Sequence, residues 1–163
     1  MSNNDLQILI QNVADILNKQ QWHLATSESC TGGWLSKCCT DLSGSSTWFD
    51  RGFVTYSNKS KQDLLNVSLA TLEQHGAVSE QTAIEMAQGA LDNSDANISV
   101  AITGIAGPDG GTVEKPVGTV WLAWSIKNGA TKSEHIHLSG DREQIRYQAV
   151  IAALQGIVKN ARD

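Results

Sequence analysis

Residues 22–33 read Trp22-His23-Leu24-Ala25-Thr26-Ser27-Glu28-Ser29-Cys30-Thr31-Gly32-Gly33. A short apolar run gives way to hydroxyl-bearing and small residues, and a helix-like segment opens near Trp34. A strand that feeds a helix through so tight a turn belongs to a sheet covered by helices. Ser29 then stands at the rim of that sheet, beside backbone N–H groups that a helix start leaves without intrahelical partners. Such donors bind an anion or stabilise a developing oxyanion. The same stretch also suits a plainer role, in which Ser29 or Thr31 caps the helix.

Working outward, Leu6, Leu9, Ile10, Val13, Ile16 and Leu17 recur at helical spacing and predict an amphipathic helix over 4–19. The strand is predicted over 22–26 and the helix after the turn over 31–40. Asp41-Leu42-Ser43-Gly44-Ser45-Ser46 is a run of turn formers. A strand follows over 52–56, and Ser57 then caps a helix that runs to Leu65. Ser68 and Ser79 cap two more, the second with Ala83, Ile84, Ala87, Ala90 and Leu91 on one face. The apolar run 98–103 reads as a buried strand. Residues 118–126 and 133–138 form a hairpin, with Asn128-Gly129 suited to a type I′ turn. A last helix begins near Asp141. The class is α/β: a mixed, mostly parallel sheet with helices on both faces and a late antiparallel hairpin. No repeat, low-complexity tract or linker interrupts the chain, so residues 1–163 read as one domain.

The formal charge of −5 and the lack of any Lys/Arg run argue against nucleic acid as a partner. No apolar stretch approaches a membrane span, and the N-terminus lacks a positive region followed by an apolar one. Cys30, Cys38 and Cys39 are odd in number and match neither a disulfide framework nor a zinc spacing. A cytoplasmic location is the expectation.

Three further features carry chemistry. If Ser57 caps its helix, Lys61 lies one turn in, where the positive helix end and partial burial both disfavour its ammonium form. A neutral lysine amine can take a serine proton, and Tyr56 at the strand end can relay a proton or orient the amine; the bland alternative is a solvated surface lysine. The loop Thr103-Gly104-Ile105-Ala106-Gly107-Pro108-Asp109-Gly110-Gly111 follows the buried strand at the carboxyl end, where open α/β sheets hold ligands. It is neither a Walker loop nor a dinucleotide fingerprint, and a plain flexible loop is the other reading. Arg142 opens the last helix, where guanidinium and free amides suit a phosphate. Arg146, one turn later, either shares that role or solvates the helix face. His135 and His137 share a strand face but need a third ligand to hold a metal. Cys30 lacks a histidine nearby in sequence to make it the nucleophile.

Together, residues 26–33, Gly52-Phe53-Val54-Thr55-Tyr56-Ser57-Asn58 with Lys61, His75-Gly76-Ala77-Val78-Ser79, the 103–111 loop and Lys115-Pro116-Val117-Gly118-Thr119-Val120 resemble the CinA C-terminal domain family over about residues 5–160. Ser27 departs from the alanine common in relatives, a difference expected to bear on packing more than on chemistry. The resemblance implies a three-layer α/β/α sandwich, association into homo-oligomers, and hydrolysis of nicotinamide mononucleotide to nicotinate mononucleotide and ammonia in pyridine nucleotide recycling. It matches Ser29 to the nucleophile and Lys61 to the base, with Tyr56 and Thr103 beside them. On that reading the amides around Cys30, Gly32 and Gly33 hold the oxyanion. Thr103, Gly104, Ile105, Ala106 and Gly107 hold ribose or base, Arg142 takes the phosphate, and neither metal nor organic cofactor is required. A non-catalytic nucleotide-binding module of the same fold is the alternative, and an interaction domain built on the five tryptophans is a more distant one.

Overall fold

The computed structural model describes the backbone of residues 3–162 and the side chains of 5–162; Met1 and Ser2, on which the reading of the N-terminus partly rests, lie outside the described residues. The elements run α1 (Asn3–Gln20), β1 (Leu24–Glu28), α2 (Trp34–Asp41), a short 3₁₀ turn, β2 (Phe49–Val54), α3 (Asn58–Leu65), α4 (Leu69–His75), α5 (Glu80–Asp92), β3 (Ile98–Gly104), β4 (Thr119–Ile126), β5 (Thr131–His137) and α6 (Arg142–Asn160). One sheet in the order β2-β1-β3-β4-β5 joins all the strands. β1 pairs in parallel with β2 and β3, whereas β4 is antiparallel to both β3 and β5. Four strands therefore point one way and β4 alone is reversed, which gives the mixed sheet and late hairpin expected.

Alternation along the strands splits the core in two. Leu24, Ile98, Val100, Ile102, Leu122 and Trp124 pack under α1, α2 and α6. Ala25, Ala101 and Ala123 face the other way and pack under α3, α4 and α5. Small strand residues on this second face let α5 lie close to the sheet, and Ser99 Oγ donates to the Ala87 carbonyl at 2.6 Å across that contact. On the first face the indole of Trp124 lies against α6, where its Nε1 donates to the Ala153 carbonyl at 3.1 Å. Gly156 makes room for the ring, since a Cβ there would sit 2.0 Å from it. Trp121 faces the opposite side of β4 from Trp124; it is half-buried and stacks on His135, with centroids 4.8 Å apart.

The caps predicted at Ser57, Ser68 and Ser79 are in place. Ser57, Ser68 and Ser79 accept from the amides of Ser60, Thr71 and Thr82, and Asp141 forms a capping box with Gln144. The first two strands are displaced from their expected bounds, β1 lying at Leu24–Glu28 and not 22–26 and β2 at Phe49–Val54 and not 52–56, and two further local expectations fail. The helix after the Ser29 turn starts at Trp34 and not at 31, because Gly32 (φ 59°) and Gly33 (φ 99°) hold a left-handed turn that no helix can contain. The hairpin is not type I′: Asn128 has φ 59° but Gly129 is not left-handed, and the turn closes one residue earlier through Gly129 N–H to the Ile126 carbonyl.

Candidate functional site

Ser29 is the first residue past β1, and its amide donates to the Ile102 carbonyl of β3 at 2.9 Å. On the other side of β1, the parallel register pairs Glu28 with Val54 and places Thr55 beside the end of β1. Ser57 then starts α3, so Lys61 returns toward the strand ends one helical turn later. The register and the cap bring the two side chains together: Lys61 Nζ lies 3.0 Å from Ser29 Oγ.

Lys61 is fully buried, and its Nζ also contacts the carbonyls of Thr55 at 2.7 Å and Tyr56 at 3.3 Å. No carboxylate pairs with it among the described residues. Burial lowers its pKa from 10.5 to about 8. In the neutral amine two N–H bonds satisfy the two carbonyls and the remaining lone pair faces Ser29 Oγ. That is the arrangement in which a lysine accepts a serine proton. Cys30 is pushed the other way, up to about 11, chiefly by burial, so its thiol stays protonated and is a poor nucleophile.

Ser29, Cys30, Tyr56, Lys61, Thr103, Gly104, Ile105, Ala106, Gly107 and Arg142 line one cleft of ≈ 290 Å³, together with Ala77 and Val78. Thr103 Oγ1 donates to the Ala77 carbonyl at 2.7 Å and ties the end of β3 to the loop before α5. Tyr56 reaches Lys61 through its main-chain carbonyl, while its exposed phenol is 3.4 Å from Arg142 Nη2. Arg142 Nη1 donates to the Gly107 carbonyl at 2.7 Å, so this exposed guanidinium spans the cleft mouth between the glycine loop and Tyr56.

Gly32 and Gly33 do not line the cleft. The Gly32 amide already donates to the Ser29 carbonyl at 3.0 Å, and a side chain at Gly33 would face Val54. The amides of Cys30, Thr31 and Gly33 donate to no partner among the described residues, and of these three residues only Cys30 lines the cleft. Cys30 was expected among the donors; Thr31 was not. Position alone hides Thr31, because its availability depends on how the peptide planes turn.

Glu28 was missed as well. It is fully buried on the α2 side, where it accepts from Thr31 Oγ1 (2.8 Å), Leu35 N (2.8 Å), Ser36 N (3.0 Å) and Ser36 Oγ (2.8 Å). It does the work that a cap on Gly33 cannot, since Gly33 has no side chain. The readable signal was an acidic residue just ahead of a helix start. Neither serine nor threonine caps α2. His135 and His137 belong to no cluster of three or more His, Cys, Asp or Glu side chains able to hold a metal among the described residues. Among the described residues no helix is long and apolar enough to cross a membrane.

The chain has close relatives. The nicotinamide-nucleotide amidohydrolase PncC of Enterobacter agglomerans is 51% identical over 155 residues, which cover 95% of this chain and 94% of that protein. The PncC of Escherichia coli K12 is 50% identical over the same shares. Among solved structures, the competence/damage inducible protein CihA from Agrobacterium tumefaciens superposes with a TM-score of 0.96 at 41% identity, covering 100% of this chain and 99% of that one. The pattern of the CinA C-terminal domain matches residues 6–161, and this chain belongs to that family.

Proposed function

We propose that this chain is a nicotinamide-nucleotide amidohydrolase that converts nicotinamide mononucleotide to nicotinate mononucleotide and ammonia through an acyl-enzyme on Ser29. The observation that carries the reading is the 3.0 Å contact between Ser29 Oγ and a buried Lys61 amine with no carboxylate partner. Identity of 50% and more, over nearly the full length, to proteins named for this activity supports the substrate.

Lys61 removes the Ser29 proton as Oγ bonds to the carboxamide carbon. The tetrahedral oxyanion is held by free main-chain amides next to Ser29, foremost that of Cys30, which lines the cleft. The C–N bond then breaks, and the proton carried by Lys61 leaves with the nitrogen as ammonia. Water, deprotonated by the same amine, adds to the acyl carbon and releases the carboxylate and Ser29. The loop from Thr103 to Gly107 holds the ribose or base, and Arg142 pairs with the 5′-phosphate.

The test is ammonia release from nicotinamide mononucleotide by EDTA-treated protein. Native protein is expected to turn over. Ser29→Ala is expected to keep its melting temperature and substrate binding while losing turnover by a factor on the order of 10⁴ or more. A near-native rate in that variant overturns the covalent route.

A further inference from the structure

Arg146 projects from α6 toward the back of the Ser29 turn. Its Nε donates to the Cys30 carbonyl at 3.0 Å and its Nη2 to the Thr31 carbonyl at 3.1 Å. The guanidinium lies over Trp34, 5.3 Å from the ring centroid, and forms no ion pair with a carboxylate among the described residues. Two of its five donors thus go to main chain, and Arg146 does not line the cleft that Arg142 spans.

The consequence follows from peptide planarity. In a trans peptide the C=O and the next N–H point in opposite directions. Holding the Cys30 carbonyl toward α6 turns the Thr31 N–H away from α6. Holding the Thr31 carbonyl likewise turns the Gly32 N–H away, and that amide closes the turn onto the Ser29 carbonyl at 3.0 Å. The Ser29 carbonyl is fixed in its turn, so the Cys30 N–H faces the opposite side. One guanidinium therefore sets three successive peptide planes, and of the three amides in them only that of Gly32 has a partner, which leaves those of Cys30 and Thr31 unpaired among the described residues. Adjacent free amides of this kind form an anion-binding concavity.

We infer that Arg146 is a positioning residue, which orients the Cys30 amide at the cleft wall, with the Thr31 amide behind it, as the oxyanion site for Ser29 without touching substrate. The inference rests on the acyl-transfer reading proposed above. The rigid fork fixes the directions of both bonds at once, whereas a lysine ammonium rotates freely and does not reproduce the spacing of Nε and Nη2.

Arg146→Ala, Arg146→Lys and Ser29→Ala are compared with native protein in steady-state kinetics on nicotinamide mononucleotide, with melting temperatures alongside. A misaligned oxyanion site acts in the transition state only, so kcat is expected to fall about 100-fold with KM changed less than about threefold. Arg146→Lys is expected to fall comparably, and it decides the matter if Arg146→Ala does not fold. Guanidinium chloride at sub-denaturing concentration is expected to restore much of the Arg146→Ala rate, whereas sodium chloride of equal ionic strength is not. A purely structural role would give neither the split between kcat and KM nor the rescue. Native-like kcat in the folded variants, a rise in KM at constant kcat, or rescue by either salt alike overturns the inference. With Ser29→Ala inactive, such a result removes the role of Arg146 alone; turnover that persists in Ser29→Ala removes the acyl-transfer reading as well.

Discussion

Lys61 is a cation at the bottom of a protein, and its burial has consequences for both rate and stability. With its pKa lowered to about 8, the fraction of neutral amine rises with pH up to that value. The profile of kcat/KM is expected to climb through a base limb near pH 8 and to level above it. Lys61→Arg keeps the charge but cannot release a proton at working pH, so its activity is expected to fall as far as that of Lys61→Ala; a native-like Lys61→Arg leaves Lys61 as an electrostatic anchor only. The stability effect has a definite sign. Between about 8 and 10.5 the unfolded chain retains a proton that the folded protein has lost, so stability rises with pH across that window. Below about 8 both states are protonated and the penalty is present in full, on the order of 3 kcal/mol. In urea unfolding at pH 7 and pH 10, native protein is expected to gain stability relative to Lys61→Met at the higher pH. No differential gain would show that the amine is solvated as freely as in the unfolded chain.

The elements differ in how plainly the sequence announces them. The starts of α3, α4, α5 and α6 were legible because a polar side chain at each boundary accepts from an amide three residues on, a local device. The start of α2 was not, because its cap comes from Glu28 on the preceding strand and Gly33 at the boundary contributes no side chain. The hairpin turn escaped for a similar reason: Asn128-Gly129 permits several turns, and strand register selects among them. Packing between elements makes its own prediction. Gly156 lies under the Trp124 indole, where an added Cβ would have to occupy space 2.0 Å from the ring. Gly156→Ala is expected to destabilise the fold by about 1–3 kcal/mol despite its better helix propensity, read as a fall in melting temperature. An unchanged melting temperature would mean that α6 slides freely on β4.

The cleft belongs to the whole molecule, since Ser29, Lys61, Ala77, Thr103 and Arg142 come from five separate segments. The candidate residues were legible singly, each from its place at a strand end or helix start. Their distances were not, because the Ser29–Lys61 contact depends on the parallel pairing of β1 with β2, which no local pattern states. Arg142 shows the same dependence, linking α6 to Gly107 and to Tyr56 across the mouth. A phosphate contact that persists through the reaction acts alike on ground and transition states. Arg142→Ala is therefore expected to raise KM for nicotinamide mononucleotide about tenfold or more with a smaller loss in kcat, and to matter little for the dephosphorylated nucleoside. Equal losses on the two substrates would place the phosphate elsewhere.

Glu28 and Ser29 are neighbours in the chain, yet their side chains work on opposite sides of the sheet. The carboxylate is a resident anion, lodged permanently in the start of α2 by four hydrogen bonds. On the acyl-transfer reading proposed above, the serine meets a transient anion that exists only during turnover. A mutational screen scored by product alone would rank the two positions together, since loss of Glu28 loosens the turn that carries Ser29. Scoring by thermal shift separates them: Glu28→Ala is expected to lose several degrees where Ser29→Ala loses almost none. On that reading, what such a screen scores as a single catalytic dipeptide is a structural keystone followed by a reagent.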